Sequence, residues 1–259
     1  MARFKLDMYE DTVTQPLFDK LASFILRALE TENQSGYDPS SLILGQICGI
    51  EFAREQASTQ PCPYHLLGSF SLSPHHNISL NYPDGYYHST YIAAPQHSAI
   101  RRLSHLNAGS HEYRLVINQP GSFSGDILAR LLCQEQALRI SDTKISGSHL
   151  NSMKMVLSGE ADFAAIDAIS YHMALQRFPQ WADQLVQIGT SDAYPGLPFI
   201  CDAHLPEAAK TTICSALSDF TTQPEWAALS RHLGVTSVTA VVAEHYPPLY
   251  QLEKQLTLS

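Results

Sequence analysis

Apolar positions along this chain change period repeatedly, with two-residue alternation giving way to helical spacing and back. Phe4, Leu6 and Met8 alternate with other residues and predict a first strand over 3–8. Leu17, Phe18, Leu21, Phe24, Ile25 and Leu29 then recur at helical spacing, with Pro16 suited to the first turn. A short buried strand is predicted at 41–44, ending at Gly45-Gln46-Ile47-Cys48-Gly49. The stretch 58–87 is rich in Pro, His, Asn and Gly, and strands are predicted at 66–72 and 87–94.

The second half is more regular. A strand at 113–117 runs into Asn118-Gln119-Pro120-Gly121-Ser122-Phe123-Ser124-Gly125, and a helix follows with Ile127, Leu128, Leu131 and Leu132 on one face. Residues 143–146 lead through Gly147-Ser148-His149 into a helix carrying Leu150, Met153, Val156 and Leu157, closed by Gly159. A strand at 162–166, a helix at 168–178 stopped by Pro179, a strand at 185–189 and a turn at 194–198 come next. A strand at 199–201 and helices at 206–220 and 224–233 complete the predicted elements. Strands alternating with helices predict an α/β fold.

Composition narrows the class. The 259 residues make one large domain or two modest ones, and 44% hydrophobic with 16% charged residues excludes disordered and collagen-like chains. Sixteen Lys and Arg against 25 Asp and Glu give a formal charge of −9. That balance argues against a nucleic-acid partner, which needs a basic footprint. It does not exclude an anionic ligand, because net charge governs solubility and steering rather than what a desolvated site holds. No apolar run reaches the ~18 residues of a membrane span, so the chain is not expected to be membrane-embedded. Basic residues at the start are followed by Asp7, Glu10 and Asp11 rather than an apolar run, so no secretory signal is expected. Cytoplasmic residence follows if Met1 is the native start. Cys48, Cys62, Cys133, Cys201 and Cys214 are expected to be buried thiols, not a disulfide framework.

Candidate chemistry gathers at two strand-to-helix junctions. At Ser122-Phe123-Ser124-Gly125, unpaired amides at a helix start, two hydroxyls and a glycine that permits close approach could seat a tetrahedral oxyanion. Serine is equally an ordinary N-cap, and Asp126 in the first turn competes for the same dipole. At Gly147-Ser148-His149, a histidine in the first turn could donate to the same anion, or be one more surface histidine among twelve. On adjacent parallel strands both junctions would open at the carboxyl ends of one sheet.

Enzyme readings are weaker. Phe123 stands where a Gly-x-Ser-x-Gly elbow needs serine, and neither a Walker A loop nor a Gly-x-Gly-x-x-Gly fingerprint is present. His75 and His76, with Cys62 and His65, match no zinc template, so no metal is expected. Asp162 and Asp167 sit five apart on a strand and do not form an acid/base pair.

Several segments together resemble one family: Met8-Tyr9, residues 44–49, Gly85-Tyr86-Tyr87-His88-Ser89, residues 118–125, Ser146-Gly147-Ser148-His149, residues 159–167 and Pro195-Gly196-Leu197-Pro198-Phe199. In order and spacing they are similar to the substrate-binding proteins of phosphate, phosphite and phosphonate ABC transporters, the PhnD-like family. The similarity is closest to a branch found without a leader. The resemblance implies a two-lobed type II periplasmic-binding-protein fold with two crossover strands. One lobe would span 1–95 plus 200–259 and the other 96–199, with ligand in the cleft between them. It further implies an oxyanion clamp of Ser122, the Phe123 amide, Ser124 and His149, with Tyr87 reaching across, and Tyr9, Gln46 and Asp167 as wall residues. Positions where aminoalkylphosphonate binders carry acidic side chains fall near Ile169 and Leu197, which favours phosphate, phosphite or methylphosphonate.

Capture of such an anion for an ABC permease, by a monomer with no cofactor and no metal, is therefore expected. Periplasmic residence is the family norm if a leader has been removed. The alternatives are a cytosolic sensor or adaptor on the same fold and, more remotely, a hydrolase using Ser122 or Ser124 with His149.

Overall fold

Strands form where β-branched and aromatic residues run together, and helices where apolar residues return every third or fourth position. A computed structural model describes residues 3–32, 38, 40–73, 82–95, 100–106 and 111–257. His75 and His76 lie outside the described residues. The chain divides into two compact units, 1–86 with 195–250 and 87–194 with 251–259.

The first unit is built on a mixed sheet in the order β1 (Phe4–Lys5), β2 (Leu44–Gln46), β11 (Phe199–Asp202), β3 (Tyr64–Leu72) and β12 (Val235–Thr239). β1 and β2 run parallel, and β11 is antiparallel to both β2 and β3. Helix α1 (Thr14–Thr31) buries Phe18, Leu21, Ile25 and Leu29 along one face. It packs on α7 (Glu207–Phe220) and α8 (Pro224–Leu233). Pro224 opens α8 and Gly234, in the left-handed conformation, closes it.

The second unit has a sheet in the order β7 (Arg139–Ile145), β6 (Glu112–Ile117), β8 (Phe163–Asp167), β5 (Ser89–Ala93) and β9 (Val186–Thr190). β7, β6 and β8 are mutually parallel, while β5 is antiparallel to β8 and β9. Both faces of this sheet are covered, which the strand alternation makes visible. Tyr91, Leu115, Ile117, Phe163 and Ala165 pack on one side with Ala129 and Leu132 of α3 (Leu128–Glu135). Ile92, Val116, Ala164 and Ile166 pack on the other with Met153 and Val156 of α4 (His149–Leu157) and Ala174 of α5 (Ala168–Arg177). Sheets covered on both faces read as nearly continuous apolar runs, and β8 is buried throughout. At the unit boundaries the chain runs through two short strands, β4 (Tyr86–Tyr87) and β10 (Tyr194–Pro195).

Four expectations change. Residues 87–95 belong to the second unit, because β5 pairs with β8 and β9. The last residues, 251–259, group there too, and Leu256 lines a cavity with Leu115, Cys133 and Ile140. The chain does not finish with α8: α2 (Gly49–Ala57), α6 (Trp181–Gln184), β12 and α9 (Pro247–Thr257) are additional elements. Of the cysteines only Cys133 and Cys201 are buried; Cys214 is exposed and all five are free thiols.

Candidate functional site

Three parallel strands end side by side, and each hands the chain directly to a helix start. After β6, Gly121 takes a positive φ of 76° that only glycine adopts freely, and Ser122 begins a five-residue π-helical turn, Phe123–Ile127. Ser122 Oγ accepts from the Gly125 N–H at 3.3 Å, and the Ser122 carbonyl accepts from the Asp126 and Ile127 N–H groups. Among the described residues, the Phe123 and Ser124 N–H groups make no hydrogen bond. These are the orphan donors of a helix start, carrying its partial positive charge. The Phe123 ring is fully buried and packs edge-on against Tyr194, so this residue offers its backbone rather than its side chain.

After β7, the Gly147 N–H donates to the Asn118 carbonyl at 2.8 Å and the Ser146 N–H to the Ile117 carbonyl, tying the second junction to the first. Ser148 caps α4, its Oγ accepting from the Asn151 N–H, and His149 occupies the first helical position. Its Nε2 lies 3.0 Å from Ser124 Oγ, so the two junctions meet side chain to side chain. Part of His149 reaches solvent, but Nδ1 is shielded and has no partner. Burial alone pushes the His149 pKa down to about 4, so the ring is neutral at pH 7. From β5, Ser89 Oγ donates to the Ser124 carbonyl at 2.9 Å and fixes the turn from its other side.

The third strand end differs. Asp167 closes β8 and caps α5, with Oδ1 accepting from the Ser170 N–H at 2.9 Å. A buried carboxylate already answers that helix dipole.

Asp126, a possible competitor at the first junction, is turned away from the Phe123 and Ser124 amides. Its Oδ2 accepts from the Gly121 N–H, and its Oδ1 is paired with Arg130. The structure thus brings together Ser122, the Phe123 amide, Ser124 and His149. Tyr87 is buried in the same unit, at the end of β4, and Asp167 is spent as a cap. Tyr9 and Gln46 belong to the first unit. The Tyr9 ring lies against Phe70, and Gln46 Nε2 donates to the Leu197 carbonyl at 3.4 Å.

Asn118 was not singled out from the sequence. It is buried at the carboxyl end of β6, with its Nδ2 3.5 Å from His149 Nε2 and its Oδ1 without a partner. A Cβ on Gly125 would sit 2.1 Å from Asn118 Oδ1 and 2.9 Å from His149 Cε1, so this glycine makes room for both. Position at the carboxyl end of a parallel strand was the one available signal.

A serine and a histidine at hydrogen-bond distance resemble a nucleophile and its base. No carboxylate or carbonyl accepts from His149 Nδ1, so the orienting third member of such a triad is missing among the described residues. No three His, Cys, Asp or Glu side chains gather as a metal site among the described residues, and no described helix is long and apolar enough to cross a membrane.

Comparisons with known proteins agree with this architecture. Residues 78–246 match the family model for the phosphonate ABC transporter periplasmic substrate-binding protein. PhnD1 from Prochlorococcus marinus, solved in complex with methylphosphonate, is similar over 98% of this chain and 97% of its own, at 14% identity and TM-score 0.69. A binding protein component of an ABC phosphonate transporter from Pseudomonas aeruginosa is similar over 98% and 85%, at 16% identity and TM-score 0.69. A Xanthomonas citri protein bound to ATP is similar over 99% and 98%, at 14% identity and TM-score 0.63. No curated protein matches the sequence. At these identities the solved structures establish a shared fold, that of type II periplasmic binding proteins, while the family match covers the larger part of the chain. The chain belongs to the family of periplasmic substrate-binding proteins of phosphonate ABC transporters.

Proposed function

We propose that this protein captures a small phosphorus oxyanion (phosphate, phosphite or an alkylphosphonate) at the joined ends of β6 and β7 and presents it to an ABC permease. One observation carries the reading: the Phe123 and Ser124 amides are free beside a Ser124–His149 pair that contains no carboxylate. Each phosphoryl oxygen needs donors, and this cluster supplies amides, hydroxyls and an imidazole without a fixed counter-charge. Ser122, the Phe123 amide, Ser124 and His149 are its ligand-binding groups. Binding without turnover fits a site that lacks a triad's orienting group.

The ligand's tail is small or uncharged. Ile169 and Leu197, near the positions where amine-recognising carboxylates are expected, are both buried apolar residues. Methylphosphonate, named with the Prochlorococcus relative, meets that description. Periplasmic residence, the family's station, accompanies this role.

A thermal-shift and calorimetry panel of phosphate, phosphite, methylphosphonate, 2-aminoethylphosphonate and sulfate tests the reading. A ligand at 100-fold excess over its Kd adds about 2.7 kcal/mol. Stabilisation by the first three and not by the aminoalkyl compound is expected. No response to any phosphorus oxyanion at millimolar concentration contradicts it.

A further inference from the structure

Two buried polar atoms without partners, Asn118 Oδ1 and His149 Nδ1, belong to neighbouring side chains directly behind Ser124. Their chemistry links the placement of protons on the two side chains. A carboxamide nitrogen only donates, so the contact of Asn118 Nδ2 with His149 Nε2, at a long 3.5 Å, is a hydrogen bond only in the tautomer with a lone pair on Nε2. In that tautomer Ser124 Oγ, 3.0 Å from the same nitrogen, is the nearer donor, and the distant Asn118 amide shares the single lone pair with it. In this arrangement the imidazole proton is on Nδ1, and the Ser124 hydroxyl is spent inward. Ser124 therefore turns lone pairs, not its proton, toward any anion held at the Phe123 and Ser124 amides.

We propose that Asn118 and His149 are a proton-linked positioning pair behind Ser124, and that oxyanion capture places one proton on His149 Nε2, releasing the Ser124 hydroxyl to donate to the ligand. The proton comes from solvent, and the ligand keeps its own protonation state. Once on Nε2 it donates to Ser124 Oγ, and Ser124 rotates its own hydrogen outward. Asn118 then presents Oδ1, its unpartnered acceptor, to the imidazolium by turning its amide over. Gly125 leaves the space in which that amide lies. No covalent bond forms or breaks apart from the transferred N–H.

The surroundings permit this change of charge. Helix α4 packs on β5, β6, β8 and α5. Among the charged and titratable groups on those elements, Arg114 is spent on Asp162 and Asp167 caps α5. In the adjoining turn, Asp126 is held by Arg130 and Gly121. Lys154 on α4, Glu112 and Tyr113 on β6, Tyr91 on β5 and Tyr171, His172 and Arg177 on α5 complete the set. Burial lowers the His149 pKa, and an arriving anion would favour the protonated ring.

This inference rests on the oxyanion-binding reading, and the test separates the two. Protein labelled with 15N-histidine is examined by NMR at pH 7, alone and saturated with methylphosphonate, with binding followed calorimetrically in the same samples. The ligand-free protein is expected to carry its His149 proton on Nδ1, and the complex to carry protons on both nitrogens. A ligand-free Nε2–H tautomer, or a ring that stays neutral in a saturated complex, overturns the proposal while leaving anion binding intact. Calorimetry that detects no binding overturns the oxyanion reading itself. In that case the ligand-free tautomer still decides whether Asn118 orients the ring.

Asn118→Asp supplies the second readout. A carboxylate beside Nε2 protonates His149 before ligand arrives, so proton uptake on binding, measured in buffers of different ionisation enthalpy, is expected to fall from about one to near zero. Unchanged uptake in that variant contradicts the pairing.

Discussion

The ends of β6 and β7 and the end of β8 are neighbours in one sheet, and each runs into a helix start, yet only the first two are capped by neutral side chains. At β6 and β7 the capping side chains are neutral serines, and the amides of Phe123 and Ser124 remain unpaired. At β8 the cap is Asp167, whose buried carboxylate occupies the positive end of α5. At each of the three junctions a helix start follows the carboxyl end of a strand. One side chain per junction, serine or aspartate, decides which of them is vacant.

The strongest way to break this contrast is to make the first junction resemble the third. Ser124→Asp brings a carboxylate to the free amides and beside His149, and should remove phosphorus-oxyanion binding by at least about a thousandfold in calorimetry, since like charges repel in a desolvated site. The reciprocal change, Asp167→Asn, keeps a capping side chain and should leave affinity within about threefold. Gly125→Ala comes next. Its methyl would overlap Asn118 Oδ1 and His149 Cε1, so the junctions must separate. Stability should fall by about 1–3 kcal/mol in chemical denaturation, with affinity lost alongside. Ser124→Ala removes one hydrogen bond to a charged ligand, about 1.5–3 kcal/mol, or roughly ten- to a hundredfold in Kd.

A smaller effect concerns acid. His149 has its pKa lowered by burial to about 4 from the usual 6.5, so between those values the unfolded chain binds the extra proton and the folded one does not. Stability from this residue is fully present above pH 6.5 and is lost as pH falls toward 4, by up to about 3.5 kcal/mol at ~1.4 kcal/mol per unit. His149→Gln should flatten that part of the ligand-free protein's stability profile. Saturating methylphosphonate, by favouring the protonated ring, should also reduce the loss.

The sequence revealed the junctions because their signals are local. Ser122, Ser124, Gly147 and Ser148 lie between an apolar strand and an amphipathic helix, and chain order alone locates such a boundary. It did not reveal α9, because Pro247 and Pro248 read as breakers although proline is tolerated in a first helical turn. It missed β12, whose Val235-Thr236-Ser237-Val238-Thr239 is mostly half-exposed at a sheet edge and lacks an apolar run. α2 opens on glycine and is only nine residues long, too few for a periodic pattern to stand out. Asn118 escaped for another reason. Its place beside His149 depends on the gap left by Gly125, a contact through space that no spacing rule encodes.

The account's central claim is that the vacant amides and the Ser124–His149 pair hold a small phosphorus oxyanion. Calorimetric titration of the wild-type protein and of Ser124→Ala with methylphosphonate tests this most directly. The account predicts saturable one-to-one binding by the wild type and a Kd about ten- to a hundredfold weaker in the variant. Equal affinity in the two proteins, or no heat from the wild type where another class of solute binds, would contradict it.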